Sequence, residues 1–101
     1  MVEKSQSKLK PVLTSKAGNQ WRKILDFYAR RNMSPDYSLK LDIELFRVLS
    51  LLCEQPKMGQ ETKRKNTRRH VVENYALFYR VNGENLEVTA IVDARQDDKV
   101  E

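Results

Sequence analysis

The chain has 101 residues, room for one domain and one core, with 40 % apolar residues, 33 % charged residues and a net charge of +5. This content argues against general disorder, no apolar run approaches the ~20 residues of a membrane span, and the opening MVEKSQSKLK lacks the apolar stretch of a secretory signal. One cysteine, Cys53, and one histidine, His70, exclude an internal disulfide and the usual structural zinc sites, and suit a reducing, cytoplasmic compartment.

Residues 1–8 are polar and read as a flexible N-terminus. Leu9 to Leu13 reads as a short strand, which Pro11 restricts to an edge or a strand end. Thr14 or Ser15 offers a helix N-cap. Ala17, Trp21, Ile24, Leu25 and Tyr28 follow at spacings of three and four and form one helical face, opposite Arg22, Lys23, Arg30 and Arg31. Asn32 and Met33 end this helix. Ser34-Pro35-Asp36 starts a second one, with Ser34 as cap and Pro35 at the first helical position. Its stripe is Tyr37, Leu41, Leu45, Val48, Leu49 and Leu52. Ile43 and Phe46 widen that stripe and predict that the helix is covered on more than one side. Pro56 stops it and Gly59 marks a turn.

The period then changes from helical to alternating. Thr67 to Val72 reads as a strand, Glu73-Asn74 as a two-residue turn, and Tyr75 to Val81 as the strongest strand in the chain. Tyr75, Leu77, Tyr79 and Val81 fall on one face of it, and Ala76, Phe78 and Arg80 on the other. Asn82-Gly83 is the dipeptide of a type I′ hairpin. Asn85 to Val92 returns, with a broken alternation that predicts a bulge. The expected fold is α+β, ordered β-α-α-β-β-β, in which a helical hairpin covers one face of a small, mainly antiparallel sheet and the other face meets solvent or a partner. The single domain spans 9–96, followed by a loose tail at 97–101.

Charge is unevenly spread. Residues 1–31 carry eight Lys/Arg against two Asp/Glu, and residues 57–69 carry six against one, while the remainder is acidic. Such a field favours an anionic partner, nucleic acid or acidic protein. Lys63, Arg64, Lys65, Arg68 and Arg69 form the main cluster, and Arg80 interrupts an apolar strand. Trp21, Tyr28, Tyr75 and Tyr79 belong to the core by periodicity, as does Cys53. Asp42 and Glu44 lie two apart, on different sides of their helix, and make no acid/base pair.

Several signatures now stand in order. A strand leads into Thr14-Ser15-Lys16-Ala17, with Trp21, Ile24 and Tyr28 on the next helix. Leu52 precedes Pro56 by four residues and Gly59 follows three later. Arg68 lies seven residues before Tyr75, and the last strand closes with Val92-Asp93-Ala94-Arg95-Gln96-Asp97. From Val12 to Asp98 the sequence resembles the RelE/ParE superfamily of small bacterial toxins from type II toxin–antitoxin pairs. The resemblance implies a toxin of the plasmid-stabilisation type held inactive by a cognate antitoxin. Its target is DNA gyrase if the chain is ParE-like, or mRNA on the ribosome, cut by an endonuclease, if it is RelE-like. An inactive relative that only binds antitoxin is the third reading.

RNA cleavage needs a base, cationic donors for phosphate, and an acid. RelE-like members place an Arg directly after the Tyr that opens the third strand, where this chain has Ala76. They also use a Tyr or His near the C-terminus, and DARQDDKVE has neither. These departures favour the ParE-like branch, which acts by binding and not as an enzyme. The expected target- or antitoxin-binding residues are Lys63, Arg64, Lys65, Arg68, Arg69, Arg80 and Arg95. Arg95 matches the family's closing basic position and is expected to pair with Asp97 or Asp98. His70 and Arg95 are the only catalytic candidates, and His70 reads first as a strand residue with a local hydrogen bond. No cofactor, metal, membrane or small-molecule substrate is expected.

Overall fold

The computed structural model describes residues 9–95. The expected flexible N-terminus at 1–8, the tail at 97–101, and Gln96, Asp97 and Asp98 lie outside them. The elements are β1 (Lys10–Leu13), α1 (Ser15–Asn32), α2 (Asp36–Glu54), a 3-10 turn at Pro56–Met58, β2 (Gln60–Glu61), β3 (Arg68–Val72), β4 (Tyr75–Asn82) and β5 (Asn85–Asp93). The strands form one sheet in the order β1-β5-β4-β3-β2, with β1 parallel to β5 and every other pair antiparallel. β1 is an edge strand, which accommodates Pro11 and its missing N–H. β2 is the one strand that periodicity does not predict. It has only two residues, too few to alternate.

Helix α1 starts where Thr14 caps it. The Thr14 hydroxyl accepts the Ala17 amide at 3.2 Å, a contact worth about 1 kcal/mol. The helix ends at Met33, in the left-handed region at φ 53, and Arg30 and Arg31 complement the dipole of its last turn. α2 begins one residue later than the sequence predicts. Pro35 is the cap, and the Ser34 hydroxyl accepts the Asp36 amide at 3.2 Å. Two polar contacts lock the helices together: Trp21 Nε1 donates to Asp42 at 2.8 Å, and the Ser38 hydroxyl donates to the Leu25 carbonyl at 2.6 Å.

The hairpin buries Ala17, Trp21, Leu41, Leu45, Leu49 and Leu52 against Leu77, Tyr79, Leu86, Val88 and Ile91 of the sheet. Trp21 meets Tyr75 edge to face, 6.2 Å between centroids, worth about 0.5–1.5 kcal/mol beyond burial. Cys53 is buried. The opposite sheet face is not an open polar surface, because Ala76, Phe78 and Ala90 are buried there with Val92 and Ala94 packed against them.

Three further expectations change. The predicted double cover of α2 is absent at its outer side: Leu39, Ile43 and Phe46 are 57, 68 and 57 % exposed. The hairpin and the sheet cover α2 from adjacent directions, which leaves a stripe at i, i+4 and i+7 facing outward. The β4–β5 loop is Gly83-Glu84, because Asn82 pairs with Asn85. Only Gly83 has positive φ, the type II′ pattern and not I′. The bulge falls on Thr89, since Phe78 pairs with Ala90 and Tyr79 with Val88.

Candidate functional site

The basic stretch folds back on itself. β2 pairs with β3, Glu61 opposite Arg68, so the segment between them becomes a closed loop. Thr62 organises that loop. Its hydroxyl accepts the Arg64 amide at 3.1 Å and donates to the Thr67 carbonyl at 2.9 Å, while Asn66 turns the chain at φ 61. The loop stands against the Tyr79–Val81 end of β4. Between them lies a concavity of about 420 Å³ lined by Lys57, Glu61, Arg64, Lys65, Arg68 and Arg80, with Pro56, Tyr79 and Val81 as its less polar wall.

The cations on this wall are not equivalent. Arg68 is fastened to the fold: its Nη1 donates to the Gly59 carbonyl at 2.7 Å, and its Nη2 lies 3.5 Å from Glu61. Arg80 pairs across the sheet with Glu87 at 3.0 Å, and Asn82 and Arg80 together hold the Glu87 carboxyl below its ordinary range. Lys57 and Lys65 are exposed, and their ammoniums have no partner among the described residues.

Of the expected binding residues, the structure brings Arg64, Lys65, Arg68 and Arg80 to this concavity. Lys63 is exposed on the loop but outside the lining. Arg69 lies on the opposite face of β3, across from Phe78. Arg95 stands at the other end of the sheet, just past the Tyr75–Asp93 pair. Val81 lies six residue steps along β4 from that pair, about 20 Å. Arg95 does not need Asp97 or Asp98 as its partner. It grips Asp93 at 3.1 and 2.9 Å through two guanidinium nitrogens, and this pairing holds the Asp93 carboxyl at about 2. Beside it, Tyr75 donates to Tyr28 at 3.1 Å, and burial followed by that bond pushes the Tyr75 phenol up. Lys57 is the concavity residue that the expected set omits. It belongs to the basic stretch, but only the folded segment brings it to the same hollow as Lys65.

His70 is a β3 residue paired with Leu77, on the helix-covered face and outside the concavity. Burial pushes its imidazole down, and no local hydrogen bond to the ring is present among the described residues. Among the described residues, Tyr79 is the only phenol lining the concavity. Its hydroxyl donates to the Pro56 carbonyl at 2.7 Å and accepts the Gly59 amide at 2.9 Å, so neither its proton nor its lone pair is offered to a ligand. Glu61 is the one carboxylate on the rim, largely exposed and leaning on Arg68. The arrangement can hold an anion.

Among the described residues, no helix is long and apolar enough to cross a membrane, and no three His, Cys, Asp or Glu side chains gather to hold a metal. The family described as the ParE toxin of type II toxin–antitoxin system, parDE, matches residues 12–98. The fold is similar to a solved chain from a chromosomal ParDE TA system of P. aeruginosa, with a TM-score of 0.73 and 19 % identity, covering 86 % of this chain and 97 % of that one. None of the curated proteins compared matches.

Proposed function

This chain belongs to the ParE toxin family of type II toxin–antitoxin systems, and from that premise we propose that it arrests growth by binding an essential cytoplasmic target through its cationic concavity. DNA gyrase is the target the resemblance implies, and a cognate antitoxin silences the toxin. The observation that carries the binding reading is the composition of the concavity: five cations surround it, its phenol is committed to the backbone, and the imidazole lies elsewhere. Lys63 and Arg69, from the same basic stretch, add to the field, and Arg95 at the far end serves a separate contact.

The antitoxin has a surface of different character to use. Leu39, Ile43 and Phe46 form an exposed apolar stripe at helical spacing, suited to the apolar face of an amphipathic segment. The test is regulated expression of this chain alone and together with the reading frame beside it. Expression alone arrests growth and induces DNA-damage signalling, and co-expression restores growth. Normal growth at full expression overturns the toxin reading. Arrest with codon-phased mRNA cuts and no damage signal replaces gyrase by the ribosome.

A further inference from the structure

The make-up of the concavity also limits what can enter it. Five cations, Lys57, Arg64, Lys65, Arg68 and Arg80, face one carboxylate, Glu61. Arg68 and Arg80 already spend guanidinium donors on Gly59, Glu61 and Glu87, which fixes their positions and weakens them as two-pronged carboxylate receptors. The ammoniums of Lys57 and Lys65, without a partner among the described residues, act as point charges. The one aromatic ring in the lining, Tyr79, is buried, so the wall offers no aromatic face on which a base could stack. The Thr62 hydroxyl, which would otherwise read a base edge, is bonded within its own loop.

We infer that this concavity grips the phosphodiester backbone of a nucleic acid by charge, without stacking aromatic rings on bases. Duplex DNA presents one negative charge per roughly 1.7 Å of axis, a density that a peptide's carboxylates do not reach and that several cations around one hollow match. Backbone contacts of this kind position a protein on nucleic acid and carry no sequence information. The inference rests on the binding reading above and supplies the chemistry of its ligand. The target complex would then include nucleic acid, held at the 62–67 loop.

The experiment is fluorescence anisotropy of the purified chain against two labelled duplexes of unrelated sequence and a single-stranded RNA, over a salt series. Unlabelled pyrophosphate and polyglutamate serve as competitors. Both duplexes should bind within about twofold of each other, with log K falling linearly in log salt. Lys57→Ala and Lys65→Ala should each reduce that slope by about 0.9 and weaken both duplexes equally. Neither ammonium has a partner among the described residues, so thermal unfolding should not move. Lys23→Ala, on α1 and outside the concavity, is the control that leaves the slope alone. Whichever of duplex and RNA binds tighter names the source of the backbone.

No binding at low salt, a slope untouched by the two lysine changes, or displacement by pyrophosphate or polyglutamate ahead of either nucleic acid overturns the inference. Growth assays keep the two readings apart. Arrest without nucleic-acid binding sinks this inference and leaves the toxin. Lysine-dependent binding without arrest does the reverse.

Discussion

The hydroxyl of Tyr79 accepts the amide of Gly59 at 2.9 Å across twenty residues of sequence, tying the turn after α2 to the middle of the sheet. That bond needs a close approach. A Cβ on Gly59 would lie 2.5 Å from the Tyr79 hydroxyl and 2.9 Å from the Arg69 carbonyl. Gly59→Ala should therefore destabilise the fold. Tyr79→Phe, which leaves the Gly59 amide and the Pro56 carbonyl without their partner, should cost about 1–3 kcal/mol. Urea unfolding of both variants measures this. Because the same turn carries Lys57 to the concavity, Tyr79→Phe should also weaken target binding.

Glu73 turns the chain between β3 and β4 at φ 57, in the left-handed region where a side chain is crowded. It is exposed, and no side-chain bond among the described residues compensates. Glu73→Gly should raise stability by about 1 kcal/mol, read as a higher denaturant midpoint at unchanged slope. A lower midpoint would mean that the loop relies on the side chain.

Ile43→Asp and Phe46→Asp change exposed residues, so unfolding midpoints should stay within about 0.5 kcal/mol. Each removes a side chain whose burial in a complex is worth about 1.5–3 kcal/mol, so antitoxin affinity should fall by tenfold or more. The readout is growth: these variants should remain toxic when the antitoxin is co-expressed. Full neutralisation of both would place the antitoxin elsewhere.

His70 is the only histidine, so between about pH 5.5 and 7 no other side chain is expected to titrate at its ordinary value. Burial lowers its pKa in the fold, and the unfolded chain therefore takes up the proton first. Stability should be constant above about pH 6.5 and decline below it, levelling only once the folded imidazole protonates too. His70→Asn should flatten that decline while leaving growth arrest intact. Loss of arrest would return the imidazole to the mechanism.

Much of this architecture can be read from spacing. The α1 face, the Thr14 cap, the β4 alternation and the broken pattern at Thr89 are local signals, each set by which side of an element is buried. The two-residue β2 carries no period, and without it the basic stretch remains a line of charges instead of a hollow. The Asn82-Gly83 dipeptide points to a I′ turn, but pairing across the whole β4–β5 ladder sets the register and moves the turn to Gly83-Glu84. Ile43 and Phe46 mislead for another reason. An apolar residue left exposed on a helix looks, in one sequence, like one buried within the chain. Arg68 and Arg80 look like free cations until their backbone and cross-strand partners are placed.

Among the described strands β1 is made before the others, yet it can pair only with β5, the last of them in chain order. Thr14 meets Thr89 across 75 residues, and the parallel register runs from Lys10–Asn85 to Leu13–Val88. A chain emerging from the ribosome can build the helical hairpin and begin the meander, but its opening strand must wait for β5. Folding of this protein should therefore have a slow closing step set by loop entropy. Until β5 has been made, β1 has no strand to pair with, so a chain terminated before β5 has no route to the complete sheet.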